Sequence, residues 1–192
     1  MKPFHSLKML GALLLLSLGL NAQSFQFDNN SSSLIVYGTS NIHDWIIDAA
    51  KSSGTITLAT SDQKITGIEN LEMVIRSESL KSGKSGMDKN TYKALKTEQF
   101  KTITYKLKSV KSINQSSNGS YHVMTSGILE LAGVKKNTDL KFNLELQNNK
   151  VTINGEHELK MTDFNIEPPT AVFGSIKTGD EVKIKFRAQF NK

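Results

Sequence analysis

Residues 100–190 contain five successive stretches in which apolar and polar residues alternate, with the period of a half-buried β-strand. The last stretch sets apolar residues on one face against basic residues on the other: Val182, Ile184, Phe186, Ala188 and Phe190 against Lys183, Lys185 and Arg187. Strands with one wet face and one apolar face belong to antiparallel sheets. So many of them in a row predict a β-sandwich or a barrel. A closed sheet of this kind is either filled by its own side chains or surrounds a ligand.

The same criteria predict further strands, one helix and a bulge. The strand bounds are Ser24–Phe27, Leu34–Tyr37, a long bent region Ile42–Ala59 interrupted at residues 51–54, Ile65–Arg76, Lys101–Val110, Tyr121–Leu131, Asp139–Gln147, Lys150–Met161 and Asp180–Phe190. A change of phase predicts a β-bulge near Gly67. Ser79–Gly86 is predicted as a loop, and Met87–Lys96 as a helix that places Met87, Thr91, Ala94 and Leu95 on one face.

Asn148-Asn149 has the composition of a two-residue hairpin turn, because asparagine tolerates positive φ. Folding there sets Phe142 opposite Gly155 and His157 opposite Leu140. We expect the glycine to give the facing Phe142 ring room over the backbone.

The first 22 residues resemble a secretory signal peptide rather than part of the fold. Lys2 and Lys8 supply positive charge, Met9–Leu20 is an apolar run too short to span a bilayer comfortably, and Ala22 offers a small residue before a cut. We therefore expect one domain over residues 23–192 in the periplasm of a bacterium or outside the cell, with no stable membrane span. The chain has no cysteine, so its core carries the stability without disulfides.

Neither charge nor motifs indicate catalysis, a metal, a cofactor or nucleic-acid binding. The formal net charge is +6, but the lysines alternate along strands, which is typical of solvated outer faces. The histidines of the predicted domain, His43, His122 and His157, lie far apart in sequence and lack metal-ligand spacing. His157 falls on the apolar face of its strand, where a core or cavity histidine is expected and a polar contact to a ligand remains open.

Two segments differ in composition from ordinary strand sequence. Gly38–Trp45, with the sequence GTSNIHDW, combines the only tryptophan with a histidine and an aspartate, and residues 161–169 are followed by Phe173-Gly174. Both segments are compatible with strand-end loops that plug a barrel, and equally with a polar and aromatic mouth over a cavity.

At these residues the chain resembles the YceI-like family of exported lipid- and polyisoprenoid-binding proteins. The resemblance covers nearly all of the predicted domain, and four segments carry it: Gly38–Trp45, Met87–Leu107, Gly127–Phe142 and Phe173–Phe186. Many family members carry an Arg-Asp pair where this chain has Met161-Thr162-Asp163, so that only Asp163 matches.

The resemblance implies an all-β fold, an eight-stranded antiparallel lipocalin-like barrel with one helix packed on it, around an elongated apolar cavity. The implied ligand is an isoprenoid, a prenylated quinone or a similar long-chain apolar molecule, and a homodimer is left open. The residues expected to line the bore are Ile103, Tyr105, Leu107, Phe142, Leu144, Ile153, Ile184 and Phe186. Those expected at the mouth are His43, Asp44, Trp45, His157, Asp163, Phe164 and Phe173.

Three other functions are compatible with parts of the sequence. An outer-membrane barrel would place the apolar stripes in lipid and the lysines in the lumen, although an eight-stranded lumen has little room for them. A purely structural barrel would have a filled core. An acid–base enzyme would use His43 and Asp44, which as neighbours on a strand would point to opposite faces.

Overall fold

The alternating stretches form β-strands in a computed structural model that describes residues 21–61 and 64–192. The described residues form twelve strands: β1 (Asn21–Phe27), β2 (Ser33–Ser40), β3 (Trp45–Ala49), β4 (Ser52–Ser61), β5 (Lys64–Arg76), β6 (Leu80–Lys81), β7 (Thr102–Gln115), β8 (Tyr121–Leu131), β9 (Val134–Gln147), β10 (Lys150–Lys160), β11 (Thr170–Ala171) and β12 (Ile176–Asn191). The helix α1 spans Ser85–Ala94, and short 3₁₀ turns cover Asn29–Ser31, Ser77–Ser79 and Met161–Phe164. Within the described ranges, no helix is long and apolar enough to cross a membrane.

Eight antiparallel strands close into a ring, as predicted. The order is β1-β4-β5-β7-β8-β9-β10-β12, and β12 returns to β1 through the pair Phe27–Phe190. The other half of β12 pairs with β2, which continues to β3 and β6. The barrel thus has two ends. We call the end with the 148–149 turn the filled end, and the end where β2 leads into β3 and where β12 begins the open end.

The strands bury their apolar faces inside the barrel. On β12, Val182, Ala188 and Phe190 are buried, whereas Lys185 and Arg187 are exposed. This orientation agrees with the predicted inside and outside faces, and it is the reverse of what the outer-membrane alternative requires.

The 148–149 hairpin has the predicted register, with one difference in packing. Asn148 and Asn149 have φ values of 51° and 57°, and Phe142 lies opposite Gly155. A Cβ on Gly155 would stand 2.5 Å from Cζ of Phe186, the partner on β12, so the ring that covers the glycine is Phe186 and not Phe142. The β9–β10 pairing ends at this glycine, and His157 pairs with Ile184 of β12 rather than with Leu140.

The predicted bulge near Gly67 is present as two irregularities. The β4–β5 register shifts once on each side of the Ala59–Gly67 pair. These shifts bring Ile65, Ile68 and Leu71 into the interior although their spacing does not fit one strand phase.

The prediction of one bent strand region over Ile42–Ala59 is wrong in both of its bounds and in the position of its break, because the structure has β3 at Trp45–Ala49 and β4 at Ser52–Ser61. Residues 41–44 form the turn of a β2–β3 hairpin, in which the Ser40 hydroxyl donates to the His43 carbonyl at 2.7 Å and accepts from the His43 amide at 3.1 Å. This side-chain pairing gives the backbone an alternative to a strand. The break before β4 is confined to residues 50–51, and the strand runs through Gly54.

Other bounds differ by a few residues for local reasons. The helix begins at Ser85 and ends at Ala94, so that both of its ends lie two residues before the predicted ones. It cannot continue to Lys96, because Lys96 adopts a φ of 52°. β6 lies within the predicted loop, since Leu80 pairs with Ala49. β9 begins at Val134 because Ala132 and Gly133, both at positive φ, make a tight β8–β9 turn.

Candidate functional site

The barrel interior is divided into a packed half and a cavity. At the filled end a continuous core excludes solvent, and its fully buried members are Phe25, Ile56, Leu58, Leu71, Leu144, Val151 and Phe190. From this core a cavity of about 720 Å³ extends to the open end. The interior is therefore neither completely filled nor completely open.

Six of the eight residues predicted for the bore line the cavity: Ile103, Tyr105, Phe142, Ile153, Ile184 and Phe186. Leu144 and Leu107 do not. Leu144 is fully buried in the filled core and Leu107 packs against that core. Both belong to strand positions that point inward nearer the filled end, where neighbouring side chains leave no free space.

Tyr105 adds a polar group to the wall, and this group has a partner. Its hydroxyl lies 2.9 Å from the Thr125 Oγ1. Burial raises the pKa of Tyr105, while the Thr125 hydrogen bond acts in the opposite direction. Because the hydroxyl is satisfied inside the protein, it does not require a polar ligand atom.

The helix α1 forms one wall of the open end. Its predicted apolar face, Met87, Thr91, Ala94 and Leu95, borders the cavity. The Asp88 carboxylate accepts from the Ser82 amide at 2.8 Å and from the Ser82 hydroxyl at 2.6 Å, which fixes the start of the helix. These hydrogen bonds hold the pKa of Asp88 below its usual range.

Trp45 and His43 lie at the open end, and Asp44 does not share their position. The Trp45 indole N–H donates to the Thr39 carbonyl at 2.9 Å, and both Trp45 and His43 border the cavity. Asp44 is exposed and outside the lining, and the His43 Nδ1 lies 2.9 Å from the main-chain oxygen of Asp44, not from its carboxylate. The two side chains thus do not form the pair that the acid–base alternative assumes.

His157 faces the cavity from β10. It is half-buried, and its imidazole makes no hydrogen bond within residues 21–61 and 64–192. Burial lowers the pKa of His157 below its usual value of 6.5, and the charge of Glu158 partly opposes this shift. A neutral imidazole with free nitrogens can accept or donate one hydrogen bond to a ligand.

Asp163, Phe164 and Phe173 were predicted at the mouth but do not line the cavity. Phe164 is buried in a small side cluster with Leu131 and Ile166, because the 3₁₀ turn after β10 folds its ring inward. Asp163 is exposed and pairs with Lys136 at 3.4 Å. Phe173 lies on an exposed turn and contributes no wall.

Several lining residues are absent from the predicted set. Among the residues that the structure describes, the lining contains no aspartate, glutamate or arginine, and its only lysines are Lys84 and Lys89, at and near the start of α1. Pro169, Thr170, Ile176 and Thr178, on β11, at the start of β12 and beside them, also line the cavity. The helix face was visible in the sequence as a packing surface, but nothing in its period distinguishes packing on a core from packing over a cavity.

Comparison with known proteins adds the following findings. A family model described as a YceI-like domain matches residues 25–190. A comparison with curated proteins finds no match. Similar solved structures include BcnA of Burkholderia cenocepacia, with 16% identity over 85% of this chain and 98% of that chain and a TM-score of 0.67.

Two further structures are similar over most of their length. A polyisoprenoid binding domain from Saccharophagus degradans, implicated in plant cell wall breakdown, has 16% identity over 87% of this chain and 97% of that chain, with a TM-score of 0.68. The YceI protein of Campylobacter jejuni has 14% identity over 100% of this chain and 99% of that chain, with a TM-score of 0.57. At such identities the likeness shows the shared fold.

Proposed function

Because the chain belongs to the YceI-like family, we propose that it is an exported binding protein that holds an isoprenoid or similar long-chain apolar ligand in its barrel. The observation that carries this proposal is the cavity of about 720 Å³ with an apolar wall. Its volume falls in the range of roughly 300–1,000 Å³ that is typical of small-molecule sites.

The chemistry of the wall favours a long hydrocarbon chain. Each CH₂ group that leaves water gains roughly 0.8 kcal/mol before the cost of ordering the ligand. Several isoprene units therefore bind without directional contacts, which suits a wall in which the Tyr105 hydroxyl is already paired. His157 and His43 are the polar groups that we assign to a ligand head group.

One similar structure is described as a polyisoprenoid binding domain. That description supports the ligand class, whose candidate members are a free isoprenoid, a prenylated quinone and another long-chain lipid. Carriage, storage and a stress response are the roles that such a protein would serve.

Export is the second part of the proposal and rests on the sequence of residues 1–22, of which residues 1–20 lie outside the described residues. β1 begins at Asn21, and a cut after Ala22 leaves the pairs from Gln23–Leu58 to Gln26–Thr55 in place. The barrel would thus stay closed after processing. Intact-mass analysis of protein isolated from the cell envelope should give a chain that starts near Gln23, and a chain that retains Met9–Leu20 would contradict this part.

Ligand binding is tested with Trp45, the only tryptophan of the chain. Protein freed of lipid is titrated with a prenylated quinone, which quenches indole fluorescence. Because Trp45 borders the cavity, we expect saturable quenching at one ligand per chain. Mass spectrometry of lipids extracted from natively purified protein should then identify the natural ligand.

A pair of matched variants locates the site. Ile184→Lys puts a charge into the cavity wall and should abolish saturable quenching, since an unpaired buried charge is strongly unfavourable. Ile46→Lys makes the same change at an isoleucine that is 51% exposed, on the face of β3 opposite to the buried Ile47, and should bind as the wild type does. Binding that survives Ile184→Lys in a folded variant would exclude the cavity as the site.

A further inference from the structure

A turn with solvent-exposed apolar side chains lies beside the open end of the cavity. Residues 172–175 connect β11 to β12, and we call them the mouth turn. Thr170 and Ile176, on the strands that carry it, both line the cavity. Phe173 is 110% exposed and Val172 is 63% exposed, so the apolar groups of the turn point to solvent.

The backbone keeps these side chains outside. Val172, Phe173 and Gly174 have φ values of 50°, 52° and 86°, an unusual run for a β-branched residue followed by an aromatic one. Hydrogen bonds from the Gly174 amide to the Ala171 carbonyl and from the Ser175 amide to the Val172 carbonyl, both 3.1 Å, close the turn. The turn therefore has its own internal support and does not need Phe173 for packing.

The β2–β3 turn joins the mouth turn and extends its apolar surface. The Asn41 side chain donates to the Ser175 carbonyl at 2.9 Å and accepts from the Lys177 amide at 2.8 Å. Ile42, the next residue, is 58% exposed. Three apolar side chains thus stand on two connected turns at one end of the barrel.

The charged groups near this end of the barrel include three unpaired lysines. Lys177 follows the mouth turn, and Lys84 and Lys89 border the cavity. None of the three forms an ion pair in the described part of the chain, and no carboxylate lines the cavity there. Asp44 is the exposed acidic residue of the β2–β3 turn. Unpaired lysines around an apolar tip complement a surface of anionic lipid headgroups.

We infer that the mouth turn and Ile42 form a membrane-contact edge, at which Phe173 and Val172 enter the boundary between headgroups and acyl chains of an anionic bilayer. Lys177, Lys84 and Lys89 then remain at the level of the headgroups. This arrangement places the open end of the cavity against the lipid phase, so that an apolar ligand passes between bilayer and barrel with little exposure to water.

A bilayer fits this surface better than a second copy of the chain. A stable protein interface needs roughly 1,000 Å² or more of buried surface. Three apolar side chains supply only a few hundred Å², since even a large aromatic residue buries about 150–250 Å². Insertion of one aromatic tip with basic neighbours is, by contrast, sufficient for reversible contact with a bilayer.

The test uses protein isolated from the envelope with its N-terminus established, and vesicles of phosphatidylethanolamine and phosphatidylglycerol that contain no isoprenoid. The vesicles then offer none of the proposed ligand, so partitioning reports contact with the bilayer and not uptake of the ligand proposed above. We expect the protein to sediment with these vesicles at low salt. Phe173→Ser should weaken the partitioning by about tenfold or more, the loss expected for one buried aromatic side chain.

Matched variants distinguish vesicle binding through the mouth turn from nonspecific adsorption of the protein to vesicles. Ile46→Ser removes an apolar residue that is 51% exposed on β3, outside both turns, and should leave the partitioning unchanged. Lys177→Gln should weaken it about fivefold at low salt, whereas Lys150→Gln, next to the 148–149 turn at the filled end, should have no effect. In Phe173→Trp the partitioning should persist, and lipids brominated on their acyl chains should quench the added indole.

Three results would overturn the inference. They are wild-type protein that stays in the supernatant, Phe173→Ser protein that partitions like the wild type, and a dimer in vesicle-free solution that Phe173→Ser dissociates. The last result would assign the mouth turn to contacts between two copies of the chain.

Discussion

Trp45 lies directly opposite Gly38 in the β2–β3 pairing, and its indole covers the glycine. A Cβ at position 38 would overlap the indole ring. The indole N–H is held by the Thr39 carbonyl at 2.9 Å. Because a strand glycine lets an aromatic ring lie over the backbone, the first and last residues of the Gly38–Trp45 segment form one packing unit. This unit orients the indole at the cavity.

Gly38→Ala should destabilise the protein and disturb the mouth. The new methyl group must displace the indole, and such overpacking costs typically about 1–3 kcal/mol in the free energy of unfolding. Urea denaturation followed by Trp45 fluorescence measures this loss. Gly86→Ala is the matched control, because a Cβ there meets nothing within 4 Å. It should leave stability unchanged or raise it by up to about 1 kcal/mol, since alanine favours helix. Equal stability of the two variants would contradict this packing.

The parts of the fold that could be predicted are those in which one local pattern determines the answer. The period-two alternation in β12 predicts which face of that strand points inward, and the asparagine pair at 148–149 predicts the register of the β9–β10 hairpin. Each property depends only on residues that are neighbours in sequence. The turn at residues 41–44 was missed for the opposite reason. Its one isoleucine, Ile42, resembles strand sequence, and the competing hydrogen bonds of Ser40 become visible only in the folded chain.

The site could be predicted less completely. Alternation places Leu144 and Phe142 on the same inward face, but it contains no information about depth along the barrel. Because the two residues lie at different positions along the barrel axis, Leu144 is packed in the filled core, whereas Phe142 also borders the cavity. Phe164 and Phe173 were assigned together by composition, yet a 3₁₀ turn buries the first and the mouth turn exposes the second.

Two phenylalanines on the same face of β12 should respond differently to truncation. Phe190 is 0% exposed, and its ring meets Phe27 edge-to-face at 5.6 Å between centroids. Phe190→Ala should therefore cost about 3–5 kcal/mol in the free energy of unfolding. Phe186→Ala should cost less, because part of that ring already faces free space in the cavity. Chemical denaturation of ligand-free protein makes the comparison.

The outward residues of the same strand supply the control for this comparison. Lys185→Ala removes an ammonium group 5.6 Å from the Tyr37 ring centroid on the exposed surface, and it should change stability by no more than about 0.5 kcal/mol. A lysine variant more damaging than Phe190→Ala would reverse the assignment of inside and outside.

Stability should decline as the pH falls through the range in which His157 becomes charged. Burial lowers the pKa of His157 in the folded protein below its usual value of 6.5. The unfolded chain therefore binds a proton more readily than the folded one, and protonation favours unfolding as the pH falls below about 6.5. The effect levels off once the folded imidazole is also protonated. NMR of the ring protons should show a titration midpoint below 6.5.

The variant His157→Gln isolates this contribution. It should remove part of the decline in the free energy of unfolding between about pH 7 and pH 5, a range above that in which the carboxylates with lowered pKa, Asp88 and Asp180 among them, become protonated. His122→Gln, at an exposed position on β8, should retain the decline. If His157→Gln retains the full decline instead, another group is responsible.

The hydrogen bonds of the Tyr92 hydroxyl should raise the free energy needed to detach α1 from the barrel. This hydroxyl lies 2.9 Å from the carbonyl oxygens of both Glu78 and Leu80, and so links the helix to β6 and to the turn before it. Tyr92→Phe leaves these carbonyls without this donor and should cost about 1 kcal/mol. The opening of the helix is expected to be more sensitive than global unfolding, because α1 has no buried residue of its own and part of its inner face borders the cavity.

Hydrogen exchange followed by mass spectrometry measures this opening. In Tyr92→Phe we expect amide exchange in residues 85–94 to be about fivefold faster, the factor that corresponds to about 1 kcal/mol, with no change in β8 and β9. Because the same helix lines the proposed ligand site, dissociation of a bound prenylated quinone should accelerate in parallel. Tyr37→Phe is the matched control, since the Tyr37 hydroxyl makes no hydrogen bond within the described residues, and both rates should remain those of the wild type. Faster exchange without faster dissociation would show that the ligand leaves by a route that does not need movement of α1.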